Sequence, residues 1–360
     1  MTNVDLGESR NIAARNFDPL TTPYTVDMVS FPTDGTWEEQ LTHVLRYAVL
    51  APSSHNAQPW KFQLYKQGIA IYADYSRRLP VSDPDDHELF MSIGAAIMNL
   101  RIAAEHFGFQ CDVRFTDSDD RDLPLAFARL QRDALRKTDE SFGELFFSIT
   151  KRHTNRHTFL AARVPDSVIS RLANLTNGSE VGVFISTEPR RNMQVAQLVA
   201  RAERQQLSNP EFRRELADWL RPNRTEKADG MTGAAFGISD ISSAVAPWAV
   251  KVMDLGGFRA RHDERLCIEA PALLVLHGED VKRVWIAVGE VLQRILLTLT
   301  RDGLQVSFFN MPIEIPEARL ALRKLLGISS LPQLLLRIGY SLEKTSPTPR
   351  RAVEDCIIAA

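Results

Sequence analysis

Cysteine is scarce in this chain. Its 360 residues include three, Cys111, Cys267 and Cys356, which are far apart and form no CxxC pair. An odd, dispersed set excludes a disulfide framework and fits packing residues in a reducing cytoplasm. An excess of charge of one sign is also missing: 43 Lys and Arg against 45 Asp and Glu leave a net charge of -2. That balance offers no electrostatic footprint for nucleic acid or an anionic membrane, so small molecules or proteins are the expected partners. The first thirty-odd residues hold no sustained apolar run, which excludes a signal peptide or membrane anchor there and leaves an extended arm over 1–36, of the kind that wraps a partner subunit. Phosphate-binding glycine fingerprints are absent too. Gly230, Gly233 and Gly237 have the wrong spacing for G-x-G-x-x-G, and no Walker A sequence occurs. Ser53 and Ser54 lack the glycine-flanked elbow of a hydrolase nucleophile, and no Ser-His-Asp or Cys-His signature appears. His153 and His157 stand four residues apart without a third ligand of suitable spacing, so no metal is expected.

What is present suggests two ordinary domains, since 44% hydrophobic residues over this length supply a substantial core. The chain is organised around Ala51–Trp60, APSSHNAQPW. A helix precedes it, opened by Thr36 and Glu39 in capping-box spacing, with Leu41, Val44, Leu45, Ala48 and Val49 on one face. Pro52 stops that helix. Ser53, Ser54, His55, Asn56 and Gln58 then present small donors and acceptors before Pro59 forces the chain extended. Composition alone would make this an ordinary surface loop.

Further along, Trp60–Tyr65 and Ile69–Tyr75 read as a hairpin about Lys66-Gln67-Gly68, and Glu88–Phe107 as a long buried helix closed by Gly108. Strands follow over Phe109–Phe115 and Leu125–Gln131. Ala287–Asn310 aligns without gaps on Ser92–Phe115, pairing Gly94 with Gly289 and Gly108 with Gly303, which reads as a duplication. Upstream of the second copy, Ala270–His277 reads as a buried strand matching Trp60–Tyr65. Between the copies lie a helix–strand pair (Asp166–Leu175, Val181–Ile185), helices over about Asn192–Leu207 and Glu211–Leu220, and the aperiodic Arg221–Ser243. A loop so long within a compact domain is expected to be a lid, a binding segment or disordered.

The stretch Lys151-Arg152-His153-Thr154-Asn155-Arg156 supplies what a phosphate dianion needs, bidentate guanidinium donors beside a hydroxyl, although a solvated basic turn is the commoner fate of such a run. The helix ending in APSS-x-N-x-QPW, followed by a strand, resembles the FMN-dependent nitroreductases, where the loop lies against the flavin ring. Arg152, His153, Thr154 and Arg156 look like that family's basic phosphate motif, and Pro347-Thr-Pro-Arg-Arg351 is similar to its closing segment, which carries the phosphate role to Arg350 and Arg351. The resemblance assigns Ser53, Ser54 and Asn56 to the ring and implies no catalytic side chain, the flavin doing the chemistry.

With the loop in one half and the basic motif in the other, the chain resembles the twin-domain, Acg-like branch, whose single chain folds as its own pseudo-dimer. The implied fold is α+β: two tandem related nitroreductase-like halves, 37–145 and 146–360, with antiparallel-rich sheets flanked by helices and a lid insertion at about 192–261. Only one of the two sites a homodimer would hold is complete, so one FMN per chain is expected. The implied function is an oxidoreductase passing a hydride from NAD(P)H through flavin N5 to a nitroaromatic or quinone. The alternative is an FMN-sequestering protein whose lid blocks the nicotinamide. A further homodimer is compatible with either.

Overall fold

The computed structural model describes residues 18–132, 140–343 and 345–359. Helix α1 (Trp37–Ala48) starts where its sequence directs. The Thr36 hydroxyl accepts from the Glu39 amide at 3.2 Å, and the Glu39 carboxylate accepts from the Thr36 amide at 2.6 Å. Strands β1 (Trp60–Tyr65) and β2 (Gly68–Ala73) form the expected antiparallel hairpin. Helix α2 (His87–His106) follows, then a left-handed turn at Gly108, β3 (Phe109–Phe115) and β4 (Ala126–Arg132). The antiparallel sheet runs β1-β2-β4-β3.

After α3 (Glu140–Phe146) the pattern recurs. Helix α4 (Asp166–Asn174) leads to β5 (Gly182–Ser186), and a long excursion then holds α5 (Pro189–Ser208), α6 (Pro210–Trp219), the short parallel pair β6 (Leu220–Arg221) and β7 (Met231–Thr232), α7 (Asp240–Val252) and α8 (Gly256–Ile268). Next come β8 (Ala272–Gly278), α9 (Lys282–Arg301), β9 (Gln305–Phe308), the turn-length α10 (Met311–Glu314), α11 (Pro316–Leu326) and β10 (Leu331–Gly339). The second sheet runs β5-β8-β10-β9, also antiparallel. Each sheet therefore joins its first, second, fourth and third strands in that order, with the long helix between the second and third. The excursion replaces the tight hairpin turn of the first half. This topology corrects one expectation: the counterpart of the Ala270–His277 strand is β2, not Trp60–Tyr65, whose place is taken by β5. The reason lies in burial. Leu273 and Val275 pack into one apolar cluster and Ala272, Leu274 and Leu276 into another, so β8 is covered on both faces and reads as a continuous apolar run.

Helices α2 and α9 pack against each other at the centre, with Gln293 donating to Asn99 at 2.6 Å and Arg101 paired to Glu290 at 2.9 Å across the contact. The C-terminal segment leaves the second half and crosses to the first sheet, where Ile357 bridges Phe62 in parallel and the Ile358 amide donates to Phe62 at 2.8 Å. Part of the N-terminal arm lies outside the described residues. Its described part packs on this same chain: the Arg350 amide donates to the Pro19 carbonyl, and the Tyr24 hydroxyl to the Thr348 carbonyl, both at 2.9 Å. Among the described residues no helix is long and apolar enough to cross a membrane.

Candidate functional site

The loop after α1 takes an unusual backbone. His55, Asn56 and Gln58 all have positive φ (51°, 56° and 54°), a conformation costing a side-chain-bearing residue roughly 1–2 kcal/mol each. It persists because its polar side chains tie it down. Both Asn56 amide protons are used, donating to the carbonyls of Gly230 (2.9 Å) and Pro349 (2.8 Å), while its oxygen accepts from Arg350 at 2.6 Å. The Gln58 side chain donates to Ala228 at 2.8 Å and accepts from the Arg351 amide at 2.9 Å, and the Ser53 hydroxyl accepts from the Gln58 amide. The loop is thereby pinned to the excursion on one side and the C-terminal segment on the other.

Beneath it lies a cavity of about 220 Å³ to which both halves contribute. Ser53, Ser54, His55 and Asn56 come from the loop, Arg152, His153, Thr154 and Arg156 from the basic stretch, and Arg350 from the C-terminal segment. The basic stretch is held as an added edge on the second sheet, Thr154 bridging Val306 and the Asn155 amide donating to Val306 at 2.8 Å. Eight of the nine residues expected from the sequence thus line one cavity. Arg351 does not. Its guanidinium turns to the Asp355 carbonyl at 2.5 Å and the Gln58 carbonyl at 3.4 Å, bracing the tail instead.

The cations stand out because nothing neutralises them. Arg152 and Arg350 are buried, and Arg156 lies under the excursion with its guanidinium 4.6 Å from the Phe236 ring centre. Among the described residues none of the three has a carboxylate within ion-pair distance, and each leaves a buried N–H unpaired: Arg152 Nε, Arg156 Nη1 and Arg350 Nε. Burial, then the neighbouring Arg350, lowers Arg152 to about 10; burial, then Arg259, does the same to Arg156. His153 and His55 are pushed down to about 4, by burial first and by Arg152 or Arg156 respectively next, so both are neutral at pH 7.

The cavity lining also includes two acids, Glu88 and Glu314. Glu88 accepts from the Ser54 hydroxyl and, at 2.8 Å, from the Asn310 amide; Glu314 accepts from Gln206 at 2.5 Å. Burial raises both carboxyls, and the Glu88 charge raises Glu314 further. Met91, Leu292, Phe308, Leu334 and Met231 supply apolar lining. Sequence reasoning missed Glu88, Asn310, Glu314 and Met231. Glu88 did carry a signal, as an acid inside an otherwise apolar helix.

The excursion closes one side. Met231 lines the cavity, the Gly230 amide donates to the Asn56 carbonyl at 3.3 Å, and Asp229 is clamped by Arg77 (3.0 Å) and Arg221 (2.9 Å).

Two tandem halves of one α+β topology, with a cation-walled cavity bounded by residues of both, define the class to which comparison can be made. No protein-family model matches the chain. Over most of its length it is homologous to proteins named NAD(P)H nitroreductases. One, from Mycobacterium tuberculosis and provisionally named NAD(P)H nitroreductase Rv3131, is 29% identical over 89% of this chain and 91% of its own length. Another from the same organism, provisionally named NAD(P)H nitroreductase Acg, is 26% identical over 86% of this chain and 93% of its own. Among solved structures, the FMN- and NADPH-dependent nitroreductase NfnB from Sphigopyxis sp. strain HMH aligns 96% of its chain with 59% of this one, at 19% identity and a TM-score of 0.40.

Proposed function

We propose that the cavity binds flavin mononucleotide and that the protein is an FMN-dependent NAD(P)H oxidoreductase acting on a small acceptor, its two halves, 37–145 and 146–360, forming a pseudo-dimer within one chain. The observation that carries this reading is the set of three arginines, the buried Arg152 and Arg350 and the half-buried Arg156, each with a buried N–H unpaired and, among the described residues, none with a carboxylate within ion-pair distance. A guanidinium buried without a counter-charge is expensive, and a phosphate dianion is the group that would repay three of them. Arg152 and Arg350 would hold the phosphate with the Thr154 hydroxyl and the neutral His153 ring as additional donors. Ser53, Ser54 and the apolar wall of Met91, Leu292 and Phe308 would border the ring. Asn56 acts one step removed, since its amide protons are spent fixing the loop and its oxygen orients Arg350.

The chemistry such a cofactor supplies is two-electron transfer from a nicotinamide to a nitroaromatic or quinone acceptor. The chain's own part is positioning, exclusion of water by the excursion, and a lining where Glu88 and Glu314 are biased towards their protonated, hydrogen-bond-donating forms. One loop and one basic motif per chain support one FMN per chain, and a flavin-to-chain ratio near two would defeat that stoichiometry.

A second reading, sequestration of FMN, has its own support in the bonds that Ala228, Asp229 and Gly230 make to the loop and to Arg77, which hold the excursion down over the cavity. Anaerobic mixing with NADPH, NADH and dithionite separates the two. Rapid bleaching of flavin absorbance by a nicotinamide supports the reductase; bleaching by dithionite alone supports sequestration. Protein that retains no flavin would sink both.

A further inference from the structure

The outer surface of the excursion carries an apolar face that nothing in this chain's described residues covers. Helix α7 exposes Ile241 (83%), Val245 (50%), Trp248 (63%) and Val252 (52%), whereas the residue it buries is Ser243. That inverts the usual amphipathic arrangement, in which the apolar stripe faces the core. The serine faces inward because its hydroxyl accepts from the Asn223 amide at 3.0 Å and donates to the Asp240 carbonyl at 2.7 Å, anchoring the helix to the segment over the cavity. The spacing of four, three and four residues sets the four apolar side chains in one row; Met253, which caps the helix, and Phe258, on α8, are exposed as well. At these exposures the six side chains present on the order of 700 Å², near the roughly 800 Å² per partner that a specific interface takes.

We propose that this face is the contact surface for a second copy of the same chain, two α7 helices packing antiparallel about a twofold axis. The row has the same spacing in either direction, so antiparallel packing sets Ile241 against Val252 of the partner subunit, and Val245 against the partner's Trp248, satisfying the self-complementarity that an isologous interface requires. Charge selects the same orientation. Asp240 in the first turn and Lys251 in the last lie on one flank of the row, so antiparallel helices bring each acid beside the other copy's base, while parallel helices related by a twofold would set the two charged flanks on opposite sides of the seam, where no such pairs form. Asp240 already pairs with the exposed Arg224 at 3.0 Å and would share its second flank. A membrane surface fits less well: Lys251 is the only base on α7, and interfacial helices draw on a polar face rich in Lys and Arg. Because α7 anchors Asn223 beside the cavity, this dimer would place the two excursions back to back and restrain their opening.

The test is sedimentation equilibrium of the full chain across micromolar concentrations, for the parent and for Trp248→Glu. We expect a dimer whose dissociation constant rises at least about tenfold in the variant, with thermal unfolding of the exposed-site variant unchanged. Val245→Glu gives an independent check should Trp248→Glu fold poorly. A monomer at every concentration, or a dimer indifferent to both substitutions, overturns the proposal. So does a chain that is monomeric in solution yet co-sediments with phosphatidylglycerol vesicles in a Trp248-dependent way, which would assign the face to a lipid surface.

Discussion

Gly94 and Gly289 meet where α2 crosses α9. A β-carbon on Gly94 would lie 2.0 Å from the Ile286 carbonyl oxygen, and one on Gly289 would lie 1.9 Å from that of Met91. These are the two glycines that the duplication pairs, so positions equivalent by sequence touch each other, as residues beside a twofold axis do. The neighbours are backbone and cannot rotate away. Gly289→Ala should therefore separate the central helices. Overpacking costs about 1–3 kcal/mol or somewhat more, against a gain of about 1 kcal/mol in helix propensity, and the steric term wins. A urea melt should show a net loss of up to roughly 2 kcal/mol; a stabilised variant would mean that the helices do not cross this closely.

Arg152 and Arg351 separate two roles that the sequence alone gives to one cluster. Arg152 lines the cavity with its Nε unpaired, whereas Arg351 bonds the tail and the Gln58 carbonyl. Arg152→Gln should weaken FMN retention by roughly 1.5–3 kcal/mol, the scale of a charge-assisted hydrogen bond. Arg351→Gln should leave retention within a few-fold of the parent. Dialysis followed by flavin quantitation checks both, and equal losses would restore Arg351 to the phosphate site.

Most elements were legible in the sequence because each is written locally, by a capping box, a proline stop or a glycine after a long apolar helix, whereas the gathering of the loop, the basic stretch and Arg350 was implied only by the family resemblance. What remained hidden depends on contacts distant in sequence. Nothing near Asn56 indicates that its amide protons go to Gly230 and Pro349, 174 and 293 residues away. Arg351 follows Arg350 directly, and only the path of the tail turns one guanidinium inward and the other outward. The Arg221–Ser243 stretch showed no period because its order comes from bonds such as those of Asn223 to Ile238 and Ser243, and α7, which begins at its end, turns its apolar row outward.

His43 gives a pH prediction free of the cavity. Its ring is packed among Phe31, Phe107 and Tyr47, its Nε2 has no hydrogen-bond partner, and burial first, then Arg46, lowers its pKa from 6.5 to about 4. The unfolded chain takes up this proton below about pH 6.5 and the folded chain only near 4. Stability from the neutral ring is therefore complete above pH 6.5 and is lost as pH falls towards 4. His43→Phe removes that dependence. Relative to the parent, the variant should gain on the order of 1 kcal/mol per pH unit across this window. Denaturant melts at pH 7.5, 6 and 5 measure it, and parallel curves for the two proteins would show that the ring titrates normally.

Asp229 decides how firmly the excursion is held. One carboxylate oxygen accepts from Arg77 at 3.0 Å and the other from Arg221 at 2.9 Å, joining the first half to the segment that carries Gly230 and Met231 over the cavity. Asp229→Asn keeps the shape and removes the charge, leaving the part-buried Arg221 guanidinium without a counter-ion and Arg77 with only Asp74, at 3.7 Å. The cost, about 1–3 kcal/mol, falls on the closed position, because Arg77 and Arg221 regain water when the segment lifts. The neighbouring bonds from Asn56 and Gln58 remain, so the excursion should loosen and not unfold. The rate of FMN release, followed by the rise of free-flavin fluorescence after dilution, should increase about tenfold, while the midpoint of global thermal unfolding changes little. An unchanged release rate would mean that Asn56 and Gln58 alone hold the segment closed. Release and unfolding that shift together would make Asp229 a support of the fold and not of the lid.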